Sequence, residues 1–330
     1  MDETNPAGRT LDAAAALDPA FTYVKERLFS PYSFEIWLTL GVISLIEEFG
    51  NSGGVNLLGG GSGFGRSAAG EGEEEREAVR QALSRALEFV RENPLRTAVI
   101  VAVATVLVLL TLYLGARGTF MYLDNVARRK AEFVEPWRRS GRHAMSYYLW
   151  RLATGLGCLA ALLASAVPAI VVVYRLLVLR TGPDPVAVGG LIVSALLVPV
   201  VLLSAGIVGM LLHDFVAPLM YRFGLPGLEA WRLFLRAAGG NVLPIVLYVL
   251  LQFVAVSAFV VAAILVYVFT CGYGLLPVFL QTLLQPFLLF ARVYPLYVLE
   301  GLGPEFRIVE PAPDPWASPP PGDQELGPRR

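Results

Sequence analysis

Polar residues inside apolar segments are the residues of this chain with the most obvious chemical potential. Arg292 follows the last apolar segment, residues 275–291, and Gln281 and Gln285 lie one helical turn apart within it. Gln252 lies in the preceding apolar segment. Charged and amide side chains are costly in hydrocarbon and must find partners, so they often mark solute pathways. These four residues predict a polar seam between the last two helices, suited to a small-solute permease or exporter.

A structural interpretation fits the same residues. Arg292 extends its stem to the cytoplasmic headgroups, and the glutamines form hydrogen bonds between helices. Lysine then replaces Arg292 with little effect, because both side chains reach water on a long stem. An arginine that holds an anion or a buried carboxylate uses its planar guanidinium, and lysine then fails. We expect the structural interpretation, with Glu300 or Asp214 as candidate partners.

Catalytic and metal-binding groups are few. The chain has two histidines, His143 and His213, and two cysteines, Cys158 and Cys271. Neither histidine has other metal-ligating residues at the spacing of a metal site, and no catalytic triad or carboxylate pair can be assembled from sequence positions. We therefore expect no enzyme activity, no catalytic residue, no metal and no cofactor. Both histidines are expected to be solvated at a membrane interface.

The elements that must position these residues are long apolar segments. The chain is 55% hydrophobic and only 16% charged, below the roughly 25% charged residues of soluble domains. The apolar residues form long blocks, so lipid must cover them. We predict an all-α transmembrane bundle of about six spans with amphipathic helices at the cytoplasmic interface. The predicted spans are residues 34–46, 97–114, 152–174, 186–212, 242–268 and 275–291.

One membrane domain, residues 17–308, accounts for most of the chain. Residues 1–16 and the proline-rich tail, residues 309–330, are predicted to be disordered. Residues 50–94 contain a glycine-rich stretch and then an amphipathic helix, both expected outside the cytoplasm. The first residues lack the basic and apolar regions of a signal peptide, so we expect no cleavage. Residues 34–46 are short for a full span, and they either cross the membrane or re-enter it.

Residues 115–150 are the most basic part of the chain, and such segments are cytoplasmic in multi-pass proteins. With both termini cytoplasmic, 18 basic residues lie inside and 8 outside. We therefore predict an inner-membrane protein with both termini inside. This basic loop is expected to contact anionic inner-leaflet lipid or a membrane-protein partner, and not nucleic acid. The expected contact residues are Arg128, Arg129, Lys130, Arg138, Arg139, Arg142, Trp137 and, in a second polar loop, Trp231.

Four sequence blocks carry a resemblance to a known family. The blocks are LDPAFTYVKERLFSPYSFEIWLTLG, GTFMYLDNVARRKAEFVEPWRRSG, LEAWRLFL and ARVYPLYVLEGLGPEF. They resemble an uncharacterised family of bacterial and archaeal multi-pass membrane proteins, known as a domain of unknown function. A more distant likeness is to the membrane domains fused to some glycerophosphodiester phosphodiesterases. The resemblance implies a multi-pass topology and supplies no activity, substrate or catalytic residue.

Three functions remain open from the sequence. The first is a non-enzymatic scaffold or accessory subunit of a membrane or envelope process, which uses the basic loop. The second is a small-solute permease or exporter that uses the polar seam. The third is a membrane-embedded lipid hydrolase, which only the distant likeness suggests. A polar cavity that reaches the middle of the membrane would favour the transporter, whereas a dry core sealed by small residues would favour the scaffold.

Overall fold

The computed structural model describes residues 13–51, 81, 84–85, 88–177, 185–239, 242–270 and 277–311. The structure is 88% helical, and no strand occurs in these ranges, so the predicted all-α class is confirmed. The helices are α1 (Leu17–Phe29), α2 (Phe34–Asn51), α3 (Pro94–Ala127), α4 (Val134–Arg139), α5 (Gly141–Leu177), α6 (Pro185–Leu211), α7 (Ala217–Phe223), α8 (Gly227–Ala238), α9 (Val242–Phe269), α10 (Pro277–Leu283) and α11 (Gln285–Glu300). A π-helical turn, Leu212–Val216, joins α6 to α7.

Four stretches of helix are long and apolar enough to cross a membrane. They are Pro94–Ala127, Gly141–Val172, Pro185–Phe223 and Leu243–Phe269. In the most apolar 18-residue window of each, only 6% to 11% of the residues are buried by protein. Apolar surfaces of this extent need lipid or another protein to cover them. Four of the six predicted spans, those within α3, α5, α6 and α9, are therefore helices that suit a membrane.

The packed core lies at one end of these four helices, and we call it the base. It combines α1, α2, α7, α8 and α11 with the adjoining ends of the long helices. Every residue of α3 from Gly118 to Ala127 is buried. The 34 residues of α3 extend about 51 Å at 1.5 Å per residue. Because that exceeds the roughly 30 Å of a bilayer's hydrocarbon core, the buried end of α3 has length to spare beyond it.

Helix α2 packs against the buried half of α3 through glycines. Gly50 faces Gly115, and a Cβ on Gly115 would lie 2.7 Å from the Gly50 nitrogen. Three residues earlier in α2, Glu47 faces Gly118, and a Cβ there would lie 2.5 Å from the Glu47 nitrogen. The two helices therefore run antiparallel, and only glycine permits this close approach. The contact carries Glu47 into the interior of the base.

The last predicted span, residues 275–291, is broken. Helix α10 ends at Leu283, and α11 begins at Gln285. Pro286 has no amide hydrogen, and its ring disfavours a helical conformation in the preceding residue, which accounts for the break. Neither this pair of helices nor α2 is among the helices long and apolar enough to span a membrane. Six spans and cytoplasmic interfacial helices therefore stay predictions.

Residues expected in the disordered ends extend the packed base. Ala13 is fully buried, and its carbonyl accepts a hydrogen bond from the Tyr294 hydroxyl at 3.0 Å. At the other end Val309 is buried, and the Glu310 amide donates to the Ala127 carbonyl at 2.8 Å. The packed domain therefore exceeds the predicted bounds of 17–308. The glycine-rich stretch of residues 50–94 and most of the helix predicted after it lie outside the described residues.

Much of the predicted basic loop, residues 115–150, is helical and packed. Residues up to Ala127 continue α3, and only residues 128–133 separate it from α4. Helix α1 is hydrogen-bonded to this region, because the Tyr23 hydroxyl donates to the Val126 carbonyl at 2.8 Å. Burial raises the pKa of Tyr23, so the phenol remains a neutral donor. The basic residues are thus held on a rigid surface.

Candidate functional site

A charged cluster lies buried in the base where α2, α3 and α11 meet. The Arg292 residue is 3% exposed, and its Nη2 lies 3.0 Å from Glu47 Oε1. The same nitrogen donates to the Thr119 carbonyl at 2.9 Å. A buried charge is tolerated only when it is paired and hydrogen-bonded. The expectation that Arg292 extends to the headgroups is therefore wrong, and Glu47 is its partner, whereas Glu300 pairs with Arg307.

His213 bridges two carboxylates of the same cluster. Its Nε2 lies 2.8 Å from Glu47 Oε1, and its Nδ1 lies 2.8 Å from Asp214 Oδ1. The second oxygen of Asp214 accepts a hydrogen bond from the Tyr248 hydroxyl at 2.7 Å. A continuous chain of polar contacts therefore connects α11, α2, the π-helical turn and α9. The expectation of a solvated His213 is wrong, because both ring nitrogens contact protein.

The net charge of this cluster depends on whether His213 is protonated. Glu47 and Asp214 supply two carboxylates, and Arg292 supplies one guanidinium. An imidazolium at His213 brings the sum to zero and can donate to both carboxylates. Nη1 of Arg292 also lies 3.1 Å from Nδ1 and 3.0 Å from Nε2 of His213, and this second cation opposes protonation of the ring. Loss of that proton leaves the cluster with a net negative charge. The protonation state of His213 therefore sets the net charge of the cluster.

The local backbone explains how two neighbouring residues reach one cluster. His213 and Asp214 lie in the π-helical turn Leu212–Val216 at the end of α6. Short π-helical segments within α-helices are rare and frequently occur at functional sites. Here the turn lies where the apolar part of α6 enters the base, and it presents a titratable pair at that boundary.

The cluster forms the floor of a cavity of about 1070 Å³. Arg151 and Gln252 line the same cavity beside Glu47, His213 and Arg292. Small residues of α5 and α6 form much of the wall, including Gly155, Gly157, Cys158, Ala161, Ala205 and Gly209. The volume lies at the upper end of the range for small-molecule sites. A charged floor beneath apolar walls suits a molecule with a polar end and an apolar body.

Three buried polar atoms of cavity-lining residues lack a hydrogen-bond partner among the described residues. They are Nη1 of Arg151, Nε of Arg292 and Oε1 of Gln252. The other terminal nitrogen of Arg151 donates to the Gly50 carbonyl at 2.7 Å, and Gln252 is 8% exposed. A buried polar atom without a partner costs about 1–3 kcal/mol. These atoms have almost no accessible surface, so a molecule in the cavity reaches them only after a change of side-chain conformation.

The predicted polar seam is only partly assembled. Gln252 and Arg292 line the same cavity. Gln285 is fully buried away from it and donates to the Tyr122 hydroxyl at 2.6 Å. Gln281 is 9% exposed, on α10, which packs against α2. Gln285 therefore links α11 to α3, whereas Oε1 of Gln281 has no hydrogen-bond partner among the described residues. The seam narrows to Gln252 and Arg292.

Most residues of the cavity floor were not identified from the sequence. It treated Glu47 as the end of an apolar segment and His213 as an exposed residue, and it assigned no role to Arg151. One signal was present, because a carboxylate that directly follows an apolar segment needs a partner of opposite charge. The pairing itself depends on the contact between α2 and α3, which no local pattern reveals.

The predicted lipid-contact residues are largely paired within the chain. The ion pairs are Arg128 with Asp124, Arg129 with Glu26, Lys130 with Glu132 and Arg139 with Glu135. Arg138 and Arg142 are exposed. Trp137 is half-buried beneath the Arg117 guanidinium, 4.3 Å from its ring centre, and Trp231 is half-buried beside Phe234. Lipid contact stays a prediction, with Arg138 and Arg142 the best placed.

Fold and site together define a helical protein with four helices that suit a membrane and a base that holds a charged cavity floor. The chain belongs to the family of unknown function DUF7544, whose model matches residues 11–288. The predicted resemblance to an uncharacterised family is thereby confirmed. No curated protein and no solved structure matches the chain. The likeness to membrane domains of glycerophosphodiester phosphodiesterases stays an expectation.

Proposed function

We propose that this protein is a non-enzymatic carrier of the inner membrane that binds a small molecule in the cavity and moves it across. One observation carries the proposal: a buried, ion-paired cluster forms the floor of a cavity with apolar walls. Membrane proteins seldom keep buried ionisable groups except in solute pathways and proton relays. The cavity meets the criterion for a transporter only in part, because its walls are apolar and its charged residues lie in the base. The charged floor is what supports the carrier proposal.

The cluster suggests how the binding of a molecule in the cavity is coupled to the protonation of His213. Protonated His213 makes contacts to Glu47 and Asp214 and balances their charge. Deprotonation leaves the imidazole with one N–H, so one of these carboxylates loses its donor from His213. A molecule in the cavity can then supply the missing donor. A molecule that donates a hydrogen bond is therefore held more tightly at a deprotonated floor. Binding and protonation compete, as thermodynamic linkage requires.

We also propose six passes across the inner membrane with both termini in the cytoplasm. Support comes from where the helices end. Ala13 and Glu310, near the two ends of the chain, both lie in the base. Helices α3 and α9 extend away from the base to Pro94 and Phe269. The chain must therefore pass between the base and the far side twice more, after α2 and before α11. The excess of basic residues near the base favours a cytoplasmic position for it.

Cysteine labelling tests this topology. In a chain without native cysteines, the proposed topology requires Ser62→Cys and Asp184→Cys to react with an impermeant maleimide added to intact cells. Arg139→Cys and Arg232→Cys should react only after the cells are permeabilised. Labelling of Arg139→Cys in sealed cells contradicts the proposed orientation.

A retention assay tests the transport proposal. Proteoliposomes are loaded with amino acids, carboxylates, polyols, quaternary amines and short-chain monoacylglycerols, and the retained amounts are measured by mass spectrometry. We expect at least one class to leave wild-type vesicles about tenfold faster than protein-free vesicles. Gly157→Leu should reduce the difference, because it adds a side chain at the cavity wall, whereas Gly206→Leu should preserve it, because Gly206 does not line the cavity. Equal retention of every class by wild-type and protein-free vesicles contradicts a carrier.

A scaffold at the membrane surface is the second candidate, and helix α8 favours it. Its exposed face combines Leu228 and Leu235 with Arg232 and Arg236 nearby, and Ala230 and Phe234 face the base. Amphipathic helices of this composition lie at the interface between headgroups and acyl chains. The helix is compatible with a carrier as well, since it can anchor the base to the membrane.

The contacts of His213 count against the third candidate, a lipid hydrolase. A histidine that activates a nucleophile must hold one ring nitrogen free to accept a proton from a hydroxyl or water. Both nitrogens of His213 contact carboxylates, at 2.8 Å each. The contacts of His213 therefore suit charge balance within the cluster.

A further inference from the structure

We propose that a second pocket in the base binds the phosphate group of a small, water-soluble molecule. This pocket has a volume of about 340 Å³ and lies where α3, α4, α5 and α7 meet the residues that follow α11. The volume is near the lower end of the range for small-molecule sites, so the rest of the ligand must be small. The pocket shares no lining residue with the cavity described above. It is therefore independent of the carrier function.

Three arginines from separate parts of the chain line this pocket. Arg128 follows α3, Arg139 ends α4, and Arg222 lies in α7. Two carboxylates, Asp124 and Glu310, line it as well, so the arginines outnumber the acids. The planar guanidinium group matches the spacing of phosphate oxygens and binds them through two parallel hydrogen bonds. A phosphate group therefore suits both the charge and the donors of this pocket.

The contacts within the protein leave donors of two arginines for a ligand. Asp124 Oδ1 accepts from the Tyr221 hydroxyl at 2.6 Å and from Arg128 Nε at 2.9 Å, so this carboxylate already has partners. Arg222 Nε donates to the Glu305 carbonyl at 3.3 Å. Neither arginine uses a terminal nitrogen in these contacts. Both can therefore donate to a phosphate through their terminal nitrogens.

His143 adds a polar group that the protein itself does not use. It lines the pocket, is half-buried, and its ring centre lies 6.0 Å from that of Phe120. Neither ring nitrogen forms a hydrogen bond with the part of the chain that the structure describes. In contrast to the atoms without partners at the large cavity, these nitrogens are not fully buried. A ligand that enters from water can therefore reach them.

The position of the pocket favours a ligand from water over a lipid headgroup. The apolar segment of α3 ends at Leu114, whereas the α3 residues that line the pocket extend from Phe120 to Ala127. At 1.5 Å per residue, these residues lie about 9–20 Å beyond the apolar segment along the helix. The headgroup layer of one leaflet is only about 5–8 Å thick. The pocket therefore lies beyond the phosphates of the lipids.

Equilibrium dialysis tests the site on the full chain in maltoside micelles, which contain no phosphate. The probes are radiolabelled inorganic phosphate and ribose 5-phosphate, with ribose as the uncharged comparison. Arg139→Leu and Arg222→Leu should each weaken binding of both phosphate probes at least about tenfold, the equivalent of one hydrogen bond to a charged group. Arg138→Leu is the matched control and should bind as wild type does, because Arg138 precedes Arg139 on α4 but does not line the pocket.

Glu310→Gln should have the opposite effect. The Glu310 side chain is exposed and lines the pocket, whereas its backbone amide forms the hydrogen bond to Ala127. Removal of this negative charge should strengthen phosphate binding about twofold or more, in keeping with the energy of exposed charge pairs. A merely structural role of these residues would not raise the affinity.

Three results would overturn the proposed site: no binding of either phosphate probe, equal binding of ribose and ribose 5-phosphate, or equal affinities of Arg139→Leu and Arg138→Leu. Phospholipid added to the micelles distinguishes the two sources of a phosphate group. Bound inorganic phosphate should persist when phosphatidylglycerol or phosphatidylcholine is added. If phosphatidylglycerol displaces it and phosphatidylcholine does not, an anionic lipid headgroup occupies the pocket and the assignment to a water-soluble ligand is wrong.

Discussion

Replacement of Arg292 by leucine is expected to lower the free energy of unfolding by about 3–5 kcal/mol, the cost of leaving a buried charge without its partner. The guanidinium is 3.0 Å from Glu47 and donates to the Thr119 carbonyl. Its loss removes the ion-pair partner of the carboxylate and the hydrogen-bond donor of the carbonyl. Lysine should recover only part of the loss, because one ammonium does not reproduce the planar arrangement of donors. Denaturant unfolding in detergent micelles measures both variants.

Arg138→Leu is the matched control for this prediction. Arg138 is exposed on α4, and substitutions at exposed positions usually change stability by less than about 0.5 kcal/mol. If Arg292→Leu and Arg292→Lys are as stable as Arg138→Leu, the arginine lies in water and the buried cluster does not exist.

The second large effect is expected at Gly118. Valine there should destabilise the protein by at least about 3 kcal/mol, since overpacking against a backbone that cannot yield exceeds the usual cost of added core volume. The new Cβ would lie 2.5 Å from the nitrogen and 2.7 Å from the Cα of Glu47. Any movement of α2 that relieves this contact also withdraws Glu47 from Arg292. Loss of stability should therefore accompany loss of the cavity floor.

Gly206→Val is the control for Gly118→Val. Both glycines lie in long helices, but Gly206 has no neighbour within 4 Å. Its replacement is expected to change the free energy of unfolding by less than about 0.5 kcal/mol. A stable Gly118→Val protein would mean that α2 and α3 do not pack at the distance described here.

The long apolar helices were predictable because lipid imposes a simple rule on composition and length. Residues 97–114, 152–174, 186–212 and 242–268 all fall within helices that suit a span. The rule does not predict the lengths of helices that are surrounded by protein instead of lipid. Helix α2 and residues 275–291 pack in the base, so their lengths and breaks follow their neighbours and Pro286 rather than the thickness of a bilayer.

The basic loop was misread for a related physical reason. Basic residues between apolar segments indicate a cytoplasmic segment, but they do not indicate whether that segment is solvated or packed. Arg129 pairs with Glu26 of α1, which is far away in sequence, and lies over the Tyr23 ring at 4.7 Å. Such partners emerge only from tertiary packing.

The residues of the site also fall into two groups, those that the sequence identifies and those that it does not. Arg292 and Gln252 were recognisable because each is polar and adjoins or lies within an apolar segment. Glu47 and His213 were not, because each borders a polar segment and both look like solvated residues at a helix end. Their pairing depends on the glycine contacts of α2 with α3 and on the π-helical turn, which have no clear signature in a single sequence.

The most direct test of the central claim, that Glu47 and Arg292 act as one buried unit at the cavity floor, is a double-mutant cycle. Free energies of unfolding are measured for wild type, Glu47→Gln, Arg292→Gln and the double variant. Each single change should cost about 3 kcal/mol or more, and the double change should cost less than their sum by at least about 1.5 kcal/mol. Additive losses within about 0.5 kcal/mol would contradict the pair and, with it, the charged floor on which the carrier proposal stands.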